Sequence, residues 1–267
     1  MNQVYTSRNF PLTEDLSSNC YICGKPKSNQ LSKDHLIPRA LFHPGSPHRP
    51  YLTVHPDCNN EKSTEDEKFA IRIMLAANRS TSAQQDLLPF LKRANEEINN
   101  GYLVGKSAEI RNYKLKRTIA NELSESFSII DGAKRLVEVK ASEKHLREMH
   151  QYAIRMARGL FIRNVRDGTP NEKNAIILWH DYYQLNLHGA LHSSMELVRH
   201  TLAGAVSNDT LFGQAWHGLV EYYGGKTDEK GTGGFVYIKF YDAMGIWVHF
   251  PTIAELKMTL TKKPQHH

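Results

Sequence analysis

Two residue pairs with the same internal spacing constrain this chain more than anything else in it. Cys20 and Cys23 are separated by two residues, and so are His55 and Cys58. Each pair can sit on a tight turn and point two ligands at one ion. C-x2-C followed at a distance by H-x2-C therefore makes the Cys3His shell that structural zinc takes in tetrahedral geometry. The chain has three cysteines, all before residue 59. A disulfide framework needs an even number and a secreted setting, so the thiols are expected reduced. An ion with four protein ligands has no open position, so this zinc is expected to staple the insert between the pairs rather than to catalyse.

The rest of the composition sets limits. The 267 residues suffice for one large domain or two small ones. Hydrophobic residues are 40% and charged residues 23%, an ordinary globular balance that excludes a disordered or fibrous chain. The formal net charge of +6 favours a polyanionic partner. "MNQVYTSRNFPLTEDL" lacks the apolar core of a secretory signal, and no stretch approaches the roughly 18 apolar residues of a membrane helix. The expectation is a cytoplasmic protein with no membrane partner.

Along the chain, residues 1–78 carry all the cysteines and a Pro/Gly loop, "FHPGSPHRP". "STEDEKFAIRIMLAAN" reads as a helix capped by Ser63 or Thr64, with Glu65, Asp66 and Glu67 as first-turn acids. Residues 79–130 read as a helical connector that includes "SAQQDLLPFLKRANEEINN". Residues 131–267 read as an α+β unit of open role: DNA binding, dimerisation or partner docking. There, "ASEKHLREMHQYAIRMARGLFIRNV" is the clearest helix, capped by Ser142, with an apolar stripe of Leu146, Met149, Ala153, Met156, Leu160 and Phe161. Lys144, Arg147, Arg155 and Arg158 fall on its neighbouring face, either as a phosphate track or as a solvated helix surface. "RLVEVK" and "NAIILW" read as strands, and "SSMELVRHTLAGA" as a helix. "TLFGQAWHGLVEYY" fits either type. "GGFVYIKFYDAMGIWVHFP" reads as a hairpin around "YDAMG". Trp179, Trp216 and Trp247 read as core.

Inside the insert lies "KDHLIPRAL", and "CNNEKS" begins at its closing cysteine. With the two ligand pairs, these segments resemble the HNH, or ββα-metal, endonuclease family over residues 18 to 70. The resemblance is to its zinc-stapled branch, which carries C-x2-C, then Asp-His or Glu-His followed by Ile-Pro, then Cys-Asn or Cys-His followed by Lys. The resemblance implies a fold: a small zinc-stapled ββα unit, followed here by a mixed helical and β C-terminal region, α+β throughout. It also implies roles. Asp34 matches the acidic ligand of a catalytic Mg²⁺ or Mn²⁺, and Asn59, rather than Asn60, its second ligand. His35 matches the general base, and Lys62 a basic position beside the scissile phosphate. Arg39 is either a phosphate contact or a solvated helix residue.

Those roles make chemical sense. A hard cation held by carboxylate and amide oxygens stabilises charge on the phosphate, and an imidazole titrating near neutrality takes a proton from water. One departure is visible: the family's middle Asn, on its second strand, aligns with Pro50 here. The expected activity is metal-dependent hydrolysis of DNA phosphodiester bonds, as a nick from one site or a double-strand cut from a homodimer. By association with family members that carry an added domain, an antiviral defence role and other subunits of a defence or processing complex are expected. The alternatives are a non-catalytic zinc-stapled nucleic-acid-binding module and a subunit active only in a larger complex.

Overall fold

The computed structural model describes residues 18–42, 49–77, 127–128, 138–139, 143–165, 168–170, 172–181, 211–216, 219–241 and 243–256. The helices expected at "SAQQDLLPFLKRANEEINN" and "SSMELVRHTLAGA", and the cap at Ser142, lie outside these residues. The described chain is mixed α and β, with antiparallel sheets.

Cys20 opens a tight turn. The Cys20 amide bonds the Lys25 carbonyl at 2.8 Å and the Gly24 amide bonds the Cys20 carbonyl at 2.8 Å. Gly24 sits at φ +74°, a left-handed conformation that a residue with a Cβ adopts at a cost. Strand β1 (Ser32–His35) pairs antiparallel with β2 (Tyr51–Val54), with Asp34 opposite Leu52 and His35 opposite Tyr51. A 3-10 turn at Arg39–Leu41 follows β1.

Helix α1 spans Pro56–Ala76, so the expected start near Ser63 is corrected by seven residues. The carbonyl of His55 accepts the first helical bond, from Asn59 at 3.1 Å, and Pro56 takes the first helical position, where its missing N–H costs nothing. Asp57 is therefore the first-turn acid, and Glu65, Asp66 and Glu67 lie mid-helix.

Strands β3 (Phe127–Ser128) and β4 (Glu138–Val139) form a short antiparallel pair, and β4 falls within "RLVEVK". Helix α2 spans Glu143–Asn164. Its stripe of Met149, Ala153, Met156, Leu160 and Phe161 is buried as expected, but Leu146 is 43% exposed. Strands β5 (Ile176–Asp181), β6 (Leu211–Trp216), β7 (Val220–Lys226), β8 (Gly234–Phe240) and β9 (Met244–Phe250) build one antiparallel sheet in the order β5-β9-β8-β7-β6. "TLFGQAWHGLVEYY" thus resolves into two strands, and the β8–β9 hairpin turns where "YDAMG" predicts.

Helix α2 is the element both parts share. It packs on β8 and β9 on one side and approaches β2 and α1 on the other. Phe161 sits against Phe212 and Phe250 of the sheet, at ring-centroid distances of 6.3 and 5.9 Å. At Gly159 an added Cβ would lie 2.6 Å from Leu36 Cδ2 and 3.0 Å from Tyr21 Cε2. A helix-interior glycine costs about 1 kcal/mol relative to alanine; here it lets the helix touch the β1–β2 unit. One cluster of buried side chains accordingly runs from Cys20 through α1 and α2 to Phe250.

Candidate metal centre and active site

The turn after Cys20 and the N-terminus of α1 bring the two ligand pairs together. Ligand atoms of Cys20, Cys23, His55 and Cys58 all lie within 4.8 Å of one another. His55 Nδ1 stands 3.4 Å from Cys23 Sγ. The other ring nitrogen, Nε2, is 3.0 Å from the carbonyl of Pro26, which can only accept. Nε2 therefore carries the proton, and the Nδ1 lone pair faces the thiols, the tautomer a metal-binding histidine needs.

Burial raises the thiol pKa of Cys20, but backbone amides of Cys23, His55 and Ile22 aimed at its sulfur outweigh that and bring it down to about 7. Burial and the two neighbouring sulfurs push Cys58 up to about 12. Ionisation at Cys20 is favoured and at Cys58 opposed, and a bound cation would relieve that opposition. Donor set, spacing and tautomer all fit a structural zinc.

The structure places Asp34 and His35 differently. His35 ends β1, half-buried, and its Nδ1 is buried with no hydrogen-bond partner. Burial lowers its pKa, and the positive charges of Arg39, Arg49 and Lys62 lower it further, so the ring is neutral near pH 7. Arg39 is exposed on the turn after β1. Arg49 contributes to this positive rim although sequence reasoning missed it; it lies just past a stretch rich in turn residues, where no pattern marks it.

Asp34 is fully buried. Its Oδ2 accepts a hydrogen bond from the Tyr21 hydroxyl, and its Oδ1 accepts one from Lys62 Nζ at 3.0 Å. Lys62 is buried too, and also donates to the His35 carbonyl at 3.0 Å and pairs with Asp66 Oδ1 at 2.8 Å. The Tyr152 hydroxyl from α2 closes the chain of contacts at Asp66. Burial, then the adjacent carboxylates, hold both Tyr21 and Tyr152 well above the usual tyrosine pKa, so each remains a donor. Burial also raises the Asp66 pKa, against the pull of Lys62. Sequence reasoning gave Tyr21 and Tyr152 no role; no local spacing relates them to residues 34 and 66.

A divalent cation at Asp34 and Asn59 does not fit this arrangement. Both Asp34 oxygens are engaged, one by an ammonium. Asn59 is not the obstacle: its Nδ2 donates to the Lys33 carbonyl at 3.3 Å, and that bond does not engage the Oδ1 a cation would bind. Mg²⁺ keeps several waters, and a fully buried carboxylate leaves them no place.

Backbone contacts hold the chain around His35. The Leu36 amide bonds the Pro50 carbonyl at 3.0 Å, fixing the chain just after His35, and Lys62 grips the His35 carbonyl itself.

The expected phosphate track on α2 divides. Lys144 and Arg147 are exposed, with Arg147 3.7 Å from Glu143. Arg155 turns inward to Glu65, and Arg158 pairs with Glu172 at 3.0 Å and the Tyr21 carbonyl at 2.7 Å.

Among the described residues no helix is long and apolar enough to cross a membrane. No protein-family model, curated protein or solved structure matches the chain.

Proposed function

We propose that this chain is an HNH-type endonuclease that hydrolyses phosphodiester bonds in DNA, with His35 as its general base. The observation that carries the reading is the state of His35. It is a half-buried imidazole at the end of β1 with an unpartnered Nδ1, in a ββα unit closed by four zinc-type ligands, and the charges of Arg39 and Arg49 help lower its pKa. A neutral ring can take the proton of an attacking water, and the two guanidiniums can hold the phosphate that water attacks. The Leu36–Pro50 and Lys62–His35 backbone contacts keep the base in place.

The buried Asp34–Lys62 pair favours a second reading: a zinc-stapled nucleic-acid-binding module that does not cut. Conversion of supercoiled plasmid separates the two, run with added Mg²⁺ or Mn²⁺ and without, on the wild type and on His35→Ala. Nicked or linear product from the wild type but not from His35→Ala supports the nuclease. Plasmid that is bound but left intact by the zinc-loaded wild type sinks it in favour of the binding module.

A further inference from the structure

Lys62 has the surroundings of a bound cation rather than of a helix-surface lysine. An ammonium has three N–H donors and no acceptor. Lys62 Nζ meets three oxygens at hydrogen-bond distance: Asp34 Oδ1 at 3.0 Å, Asp66 Oδ1 at 2.8 Å and the His35 carbonyl at 3.0 Å. Every donor thus has an acceptor. Two of the oxygens come from β1 and one from α1. Tyr21 and Tyr152 brace the two carboxylates from outside, and Nζ stands 5.5 Å from the centre of the Tyr152 ring, whose face favours positive charge. Two ionised carboxylates this close repel, so without a cation between them one would take up a proton.

We infer that Asp34, Asp66 and the His35 carbonyl form a cation cage whose resident cation is the Lys62 ammonium, and that a divalent ion enters the cage only when Lys62 is removed. The ammonium offsets one of the two carboxylate charges and ties β1 to α1, with no ion to acquire. The inference holds whether or not the chain cuts DNA, because the cage is defined by its geometry.

The test is Mn²⁺ binding to the zinc-loaded full chain, followed by the loss of the free-Mn²⁺ paramagnetic signal. The wild type takes up no Mn²⁺ that depends on Asp34. Lys62→Ala gains one Mn²⁺ per chain, and adding Asp34→Asn to it abolishes the gain. Mn²⁺ bound by the wild type and lost in Asp34→Asn overturns the inference, and so does a folded Lys62→Ala with no gained site. If Lys62→Ala fails to fold, amine acetylation of the wild type, read by mass spectrometry, decides. Lys62 stays unmodified with and without Mn²⁺; acetylation that appears only with Mn²⁺ shows the ammonium displaced and the inference wrong. A plasmid that stays intact throughout bears on the nuclease reading and leaves these binding outcomes unchanged.

Discussion

Strands β1 and β2 together bury only Asp34, Leu52 and Val54, whereas β8 alone buries six of its seven residues. The two regions hold their shape by different forces. The sheet is apolar on both faces: Val236, Ile238, Phe240 and Phe250 lie toward α2, and Phe235 stacks on Trp247 at 4.8 Å on the other face. Burial of each large side chain contributes about 1.5–3 kcal/mol, so the sheet stands on the hydrophobic effect. The β1–β2 unit has too little apolar area for that. It uses four metal-type ligands at one end and a buried lysine between two aspartates at the other. Such links are stronger one by one and fewer, so each deletion there should cost more and spread less far.

The sharpest way to break the contrast is Cys58→Ser. It should abolish zinc binding by the quartet and, on the scale of metal-linked folding, lower the apparent stability of the ββα unit in the presence of zinc by on the order of 10 kcal/mol. Zinc content and near-ultraviolet circular dichroism report the loss, while the β signal of the sheet in the far ultraviolet should persist. Loss of both signals together would mean that the two regions fold as one.

Phe161→Ala attacks the other side, and a buried phenylalanine truncated in a packed core costs about 3–5 kcal/mol. Denaturant unfolding should show that loss with zinc still at one ion per chain. Gly159→Ala probes the joint: the added methyl meets Leu36 and Tyr21 and should cost about 1–3 kcal/mol by overpacking. A neutral or stabilising result, as helix propensity alone would give, would show that α2 and the hairpin separate readily.

The smallest effect sharpens the chemistry. The folded pKa of His35 is lowered below 6.5, and under the proposed nuclease function the neutral ring takes the proton. Nuclease activity should therefore persist as pH falls to 6.5 and decline only below it. An acid limb above 6.5 would mean that an acidic neighbour, not the cations, governs the ring.

These contrasts also explain what the sequence made legible. The ligand quartet was visible because zinc demands fixed spacing, and the β8–β9 hairpin because "YDAMG" interrupts two β-rich runs. The stripe of α2 was visible except at Leu146, which lies in the first turn. The start of α1 was misplaced although Pro56 signals it, because the acidic run after Ser63 imitates a helix entry. Lys62 read as a basic position beside the scissile phosphate, since a lone lysine on a helix carries no mark of burial. Its partners come from β1 and from its own helix, with two tyrosines behind them, and only the fold brings them together. For the same reason, Arg155 and Arg158 could not be distinguished from a solvated face.

Two arginines of α2 have a consequence of another kind. Arg158 holds the Tyr21 carbonyl and Arg163 the Tyr51 carbonyl, each at 2.7 Å. An arginine that grips a carbonyl oxygen reads the path of the chain, not the identity of the residue on it. The grip is set by where the backbone runs at Tyr21, in the turn after Cys20, and at Tyr51, in β2, while the Tyr21 hydroxyl and the Tyr51 ring add contacts of their own to Asp34 and Arg163. One residue inserted beside either carbonyl would shift the path and break the grip. The seam between α2 and these two segments is therefore especially intolerant of changes in length.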